Sequence, residues 1–261
     1  MTATYKKIFQ IGLILIIAAI ISIPTLTRAL NDNAGQGLKN LCSKISNLSS
    51  IVSQRVTERE TKLEEKRTEI AKKIQERWEK RDSKLADKRA KWNTNRVEHF
   101  TKMEEKTQTD AQKQAVVKFE EVVNAAVITR RAAVDKAIED FRKGVEQAIT
   151  NRKTNIDKAI SDYRNAIETA LTKAQSDCTN GMDLATVRNN LRADLKTARE
   201  KFVSDKQEVD KLTTAMEPLI NARREAIKKA IDDFKAVLEK AKADFKAASG
   251  TAPTSTPPVT P

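Results

Sequence analysis

Aromatic side chains are scarce in this chain: Phe, Trp and Tyr together make up 4% of 261 residues. Gly and Pro number six each, and three of the prolines fall within the last five residues. A compact mixed or all-β fold of this length needs more large apolar groups and more turn residues than that. There is one histidine, His99, and there are two cysteines, Cys42 and Cys178. A histidine metal site or a catalytic triad would rest on that single imidazole. The chain also lacks a Walker loop, a dinucleotide fingerprint and a clustered set of metal ligands. The expectation is a protein that is not an enzyme and carries no cofactor and no metal.

What is abundant is charge. Asp, Glu, Lys and Arg make up 33% of the chain, with a formal net charge of +13. Long stretches of Ala, Lys, Glu, Arg and Ile without Gly or Pro read as long helices or coiled coil.

Near the amino terminus, Lys6 and Lys7 precede an apolar run from Ile8 to Ile23, followed by Pro24 and small residues. This is the pattern of a signal peptide, with Thr27 and Ala29 at the −3 and −1 positions of a cleavage site. The segment from Ile8 to Leu26 is also long enough to span a bilayer as an uncleaved anchor. Residues 1–29 are thus a signal peptide or an N-terminal membrane anchor, and both readings stay open. Either way the lysines remain cytoplasmic, so the rest of the chain is expected outside the cytoplasmic membrane, secreted, periplasmic or on the cell surface. In that setting Cys42 and Cys178 can form a disulfide.

After a linker at 30–37, no Gly or Pro occurs from Leu38 to Lys143. Apolar residues recur about every eleven residues, as in Val52, Leu63, Ile74 and Leu85. A second layer reads Val56, Arg67, Trp78, Arg89 and Phe100. Trp78 and Trp92, both on this seam, are expected in the core. Eleven residues in three turns give about 3.67 per turn, a hendecad with nearly straight or slightly right-handed packing. Further along the period is 22: the stretch from Arg130 to Phe141 matches Arg152 to Tyr163, and a third copy runs from Arg223 to Phe234. Arginine layers alternate with aromatic layers there, and the plainest role for those arginines is to lay their stems on the seam with their heads in water.

The breaks between helices have local signals. Glu104 to Gln114 is almost wholly polar, and Thr109 with Gln112 can form a capping box. Asn180-Gly181 followed by Asp183 is a turn and a helix cap. Pro218 should kink or restart the last segment. The fold expected is all-α: an elongated antiparallel three-helix bundle or coiled coil with 11- and 22-residue repeats, its helices at about 38–105, 110–176 and 184–248. A Pro/Thr-rich tail at 249–261 is expected to be disordered. The rival is one helix of about 130 residues across 40–175, packed by oligomeric partners. The hairpin alone brings Cys42 and Cys178 to one end.

Residues 38–107 hold 19 Lys or Arg against 12 Asp or Glu. One row on the first helix reads Arg55, Lys62, Lys66, Lys73, Arg77, Lys84 and Lys88, at spacings that keep it on one flank of the seam for about 50 Å. The second helix carries an opposing row, Asp135, Glu146, Asp157 and Glu168. The two rows would set register by facing each other. Alternatively the basic row binds a polyanion such as extracellular DNA, a cell-wall polymer or anionic lipid. His99 lies off the seam and is expected in solvent.

An N-terminal apolar segment before a charged hendecad helix looks like the stator b-subunit of rotary ATP synthases. A basic exported helical chain resembles trimeric periplasmic holdase chaperones in composition. These are likenesses of plan, with no shared motif. The expectation is an exported or tethered rod acting as a cell-envelope scaffold, spacer or protein-interaction module. Protein partners or self-association are expected, with nucleic acid or another polyanion less favoured. The alternative is a polyanion- or client-binding protein using the basic row.

Overall fold

A computed structural model describes residues 41–211 and 216–249. The apolar run at 8–26, the linker at 30–37 and most of the Pro/Thr tail lie outside the described residues. Four long helices make up nearly all of what is described: α1 Leu41–Glu105, α2 Asp110–Thr179, α3 Leu184–Lys211 and α4 Met216–Ser249. Among the described residues there is no strand, and no helix is long and apolar enough to cross a membrane.

The breaks form where local chemistry demands them. Between α1 and α2 the Thr109 hydroxyl accepts the Gln112 backbone N–H at 3.2 Å. The Gln112 carboxamide reaches back to accept the backbone N–H groups of Gln108 and Thr109 at 2.9 and 3.3 Å. That reciprocal exchange satisfies donors that the first turn of a helix otherwise leaves open. It also rules out one continuous helix across 40–175. At the end of α2, Gly181 takes φ of 72°, a left-handed geometry that costs a glycine little. The Met182 N–H then reaches the Asp177 carbonyl at 3.0 Å, and the Gly181 N–H reaches that of Cys178 at 3.1 Å, closing a Schellman motif. Asp183 caps α3 by accepting the Thr186 backbone N–H at 2.9 Å, and this bond holds its carboxyl below the ordinary aspartate value.

The third expected helix arrives as two. Pro218 lies in the first turn of α4, where its missing N–H removes no helical hydrogen bond. That helix ends at a buried Ser249.

The chain divides into two compact units. Unit 1 combines residues 41–78 of α1 with Arg152–Lys211, the end of α2 and α3. Its core is mostly aliphatic, with Ile45, Val52 and Leu63 from α1, Ile160, Ile167 and Leu171 from α2, and Val187 and Leu191 from α3, beside Phe202. Tyr163 stacks on Phe202 with ring centroids 5.0 Å apart. Unit 2 combines Glu79–Asn151 with α4. Its core carries four phenylalanines among aliphatic residues, and Phe119 packs against Phe100 at 5.8 Å and Phe245 at 5.2 Å. In each unit three helical segments pack as a bundle, and α1 and α2 run antiparallel.

The repeated Arg and Phe positions find each other in unit 2. The Arg130 guanidinium lies 4.4 Å over the Phe234 ring, and Arg223 lies 4.2 Å over Phe141. Each helix thus offers an Arg and a Phe eleven residues apart, and antiparallel packing pairs them reciprocally. The seam arginines are therefore not simply directed to water, as expected from sequence; two of them cap aromatic faces.

Two core assignments change. Trp78 and Trp92 are only half-buried. The reason is local: α1 has no buried residue between Leu63 and Phe100, so nothing encloses an indole there. His99 is half-buried rather than solvated, edge-on to Phe100 at 5.8 Å, and burial with Lys106 and Lys102 nearby lowers its pKa.

Candidate functional site

The α1–α2 face carries most of what the sequence marked. At one end of unit 1, Cys42 near the start of α1 is bonded to Cys178 near the end of α2. Their Cα atoms are 5.9 Å apart, within the reach of a disulfide, across a sequence separation of 136.

Away from that end, the face is held by charge in a repeating frame. In unit 1, Arg164 pairs with Glu60 at 2.5 Å and Arg67 with Asp157 at 2.7 Å. In unit 2, Arg142 pairs with Asp82 at 2.6 Å and Arg89 with Asp135 at 2.7 Å. The second set stands 22 residues from the first on both helices, in opposite directions along the chain. Both pairs of unit 2 are bidentate, the geometry that fits a planar guanidinium to a carboxylate. The Arg142 contact holds the Asp82 carboxyl below its ordinary value.

The basic row does not meet the acidic one as a row. Asp135 and Asp157 are engaged by Arg89 and Arg67, each one residue further along α1 than Lys88 and Lys66. Those two arginines sit at the edge of the seam with side chains about a fifth exposed, and only their long forks reach across. Lys62, Lys66, Arg77, Lys84 and Lys88 point outward and are exposed. Among the described residues none of these five forms an ion pair, and neither does Glu146 or Glu168. Lys73 pairs within its own helix with Glu69. Arg55 is half-buried and has contacts of its own.

The structure also gathers residues that the sequence reading left apart. In unit 2, the Asn93 carboxamide oxygen accepts from Arg131 at 2.8 Å and from Arg96 at 3.0 Å. Arg96 donates as well to Asn124 at 2.8 Å. With Arg89 and Arg130 this makes a cluster of four guanidinium groups. Burial lowers the pKa of Arg96, Arg130 and Arg131, and mutual repulsion lowers those of Arg130 and Arg131 further. The adjacent Arg130-Arg131 pair and the Arg96 position are visible in the sequence. Their convergence depends on α1–α2 register, which no local signal states.

Compared with known proteins, the chain matches no family, no curated protein and no solved structure.

Proposed function

We propose that the chain is an exported or membrane-tethered helical protein of the cell envelope, acting as a scaffold, spacer or protein-interaction module rather than as an enzyme. The observation that carries this reading is the bond between Cys42 and Cys178, its two cysteines. Disulfides persist in oxidising compartments. The lysines at 6 and 7 before an apolar run give the same sidedness. The coiled-coil reading, with an elongated outline, draws on the eleven-residue apolar period and on ion pairs that recur after 22 residues.

The test is cross-linking in intact envelopes, followed by fractionation, mass spectrometry and thiol mapping. The expected result is an extracytoplasmic chain with Cys42 linked to Cys178 and cross-linked to other envelope proteins or to itself. Recovery from the cytosol with both thiols reduced would overturn the reading. Small-angle scattering of the purified chain tests the elongated outline, and a compact sphere would count against it.

A second reading is supported by the outward lysines. Lys62, Lys66 and Arg77 are exposed and form no ion pair, with Lys66 acting only through its field on Glu69, which suits contact with a polyanion. Replacing all three with Gln should then weaken heparin binding at moderate salt and leave helix content unchanged.

A further inference from the structure

Asn180-Gly181 is the one Asn-Gly step in the chain. It lies in the turn between α2 and α3, with both residues exposed. Such a step carries its own chemistry. The backbone nitrogen of the glycine can attack the side-chain carbonyl carbon of the asparagine, and glycine has no Cβ to crowd that approach. A Cβ at Gly181 would meet nothing within 4 Å, so the turn has open space around it.

The hydrogen bonds of the turn stand against this reaction. The Gly181 N–H donates to the Cys178 carbonyl at 3.1 Å, and the Met182 N–H to the Asp177 carbonyl at 3.0 Å. The Asn180 N–H donates to the Ser176 carbonyl at 2.9 Å, which keeps the attacked residue in line with the end of α2. To close a ring, the Gly181 nitrogen must lose the proton it donates, and its peptide plane must turn. The reaction therefore needs a local opening of the last turn of α2.

The acceptor for the attacking nitrogen is the carbonyl of a disulfide cysteine. Cys178 is bonded to Cys42 of α1, and it packs against the apolar core of unit 1. The bridge thus ties the last turn of α2 to a second helix. Without that tie, the end of α2 is a helix terminus next to an exposed turn, the kind of element that opens most readily.

We propose that Asn180 is a site of self-modification through a succinimide, and that the Cys42–Cys178 bridge holds the reaction off. The Gly181 nitrogen loses its proton and bonds to Asn180 Cγ. The Cγ–Nδ2 bond breaks, and the side-chain nitrogen leaves as ammonia. Water then opens the ring at either carbonyl and leaves an aspartate or an isoaspartate at position 180. The bridge itself is opened by a dithiol, which is oxidised to a disulfide as the two cysteines are reduced. Either product adds a negative charge between Asp177 and Asp183. Isoaspartate also lengthens the main chain within the turn, so the same hydrogen bonds cannot re-form. Loss of the bridge is then recorded by a change that re-oxidation does not reverse. The site is independent of the scaffold reading and of the outward lysine row.

The experiment incubates the full chain at mildly alkaline pH and follows conversion of Asn180 by peptide mass spectrometry. Three samples are compared: the oxidised chain, the chain kept in dithiothreitol, and the reduced chain unfolded in guanidinium chloride. The expected result is fastest conversion in the unfolded chain and conversion at least tenfold slower in the oxidised one. Reduction should speed the oxidised rate at least fivefold, with helix content by circular dichroism retained. A second arm leaves the bridge in place. Met182→Pro removes one donor of the turn and should speed the oxidised chain at least threefold. The proposal is overturned if the oxidised chain converts as fast as the unfolded one, or if reduction leaves its rate unchanged. If the reduced chain loses its helix, the Met182→Pro arm decides: a faster rate upholds the proposal, and an unchanged rate overturns it.

Discussion

Unit 1 and unit 2 share a charged frame and differ in what fills it. Each has an acid of α1 paired with an arginine of α2, and seven residues along α1 an arginine paired with an aspartate of α2. Behind that frame unit 1 packs mostly aliphatic side chains against α3, while unit 2 places four phenylalanines in its core with α4. The charge pattern thus fixes how α1 and α2 slide past each other, and it is reused. The apolar side chains behind it select the third helix. Exposed ion pairs suit the first task, because a wrong register juxtaposes like charges even though each right pair contributes little.

The largest expected effect separates the units by their covalent tie. Replacing both cysteines by Ser removes a bridge across a separation of 136 residues. Chain-entropy reasoning puts the loss on the order of 4–5 kcal/mol, less any strain that is relieved. Hydrogen exchange should show protection falling in 41–78 and 152–211 and persisting around Phe119. Equal loss in both units would mean that they unfold as one body.

The aromatic core gives the converse. Phe119 is 4% exposed and touches two other rings. Phe119→Ala should cost about 3–5 kcal/mol through lost burial and the cavity left behind. Thermal unfolding with site-resolved exchange should place that loss in unit 2, with unit 1 retained by its own core and its disulfide.

Much of this architecture is written in local sequence. The capping box at Thr109 and Gln112 and the turn at Gly181 are set by residues within a few positions of one another, so a reader of sequence can find them. The disulfide follows once the hairpin is drawn. Pro218 marked the interruption, but three helices were expected where four form, because a proline in a first turn starts a helix as readily as it kinks one. The arginine–aromatic repeat was visible, whereas its partners were not. Arg130 over Phe234 requires the register of α2 against α4, which depends on the whole packed face.

Acid should act on the α1–α2 face in both units. Glu64 is lowered by Lys153 and then Arg67, and Asp82 by Arg142. Their folded values lie below their unfolded ones, so the unfolded chain takes up protons first as pH falls. The stabilisation is complete above the ordinary carboxylate range, around pH 4, and is lost as pH drops through the lowered values. Both side chains are about half exposed, so the effect is modest. Urea midpoints measured from pH 6 to pH 2 should decline, and Asp82→Asn should flatten the decline in unit 2 alone. A midpoint that rises with acid would contradict the sign.

The smallest expected effect turns on a single methyl group. Gly144 in unit 2 corresponds under the 22-residue shift to Ala166 in unit 1. A Cβ at Gly144 would lie 2.5 Å from Leu219 Cδ2 of α4 and 3.0 Å from its Cδ1. The glycine is thus tied to the approach of α4, and unit 1 tolerates alanine because a different helix packs there. Two terms oppose each other in Gly144→Ala. Helix propensity favours alanine by about 1 kcal/mol. Displacing Leu219 costs about 0.5–1.5 kcal/mol if it leaves its rotamer, and Leu219 is half-buried, so its far end has room to turn. The net change should therefore lie within about 1 kcal/mol of zero. A double-mutant cycle isolates the contact. In a Leu219→Ala background the obstruction is gone, and Gly144→Ala should then stabilise by about the full propensity term. If the substitution has the same effect in both backgrounds, Leu219 does not constrain position 144, and the glycine in unit 2 owes nothing to the packing of α4.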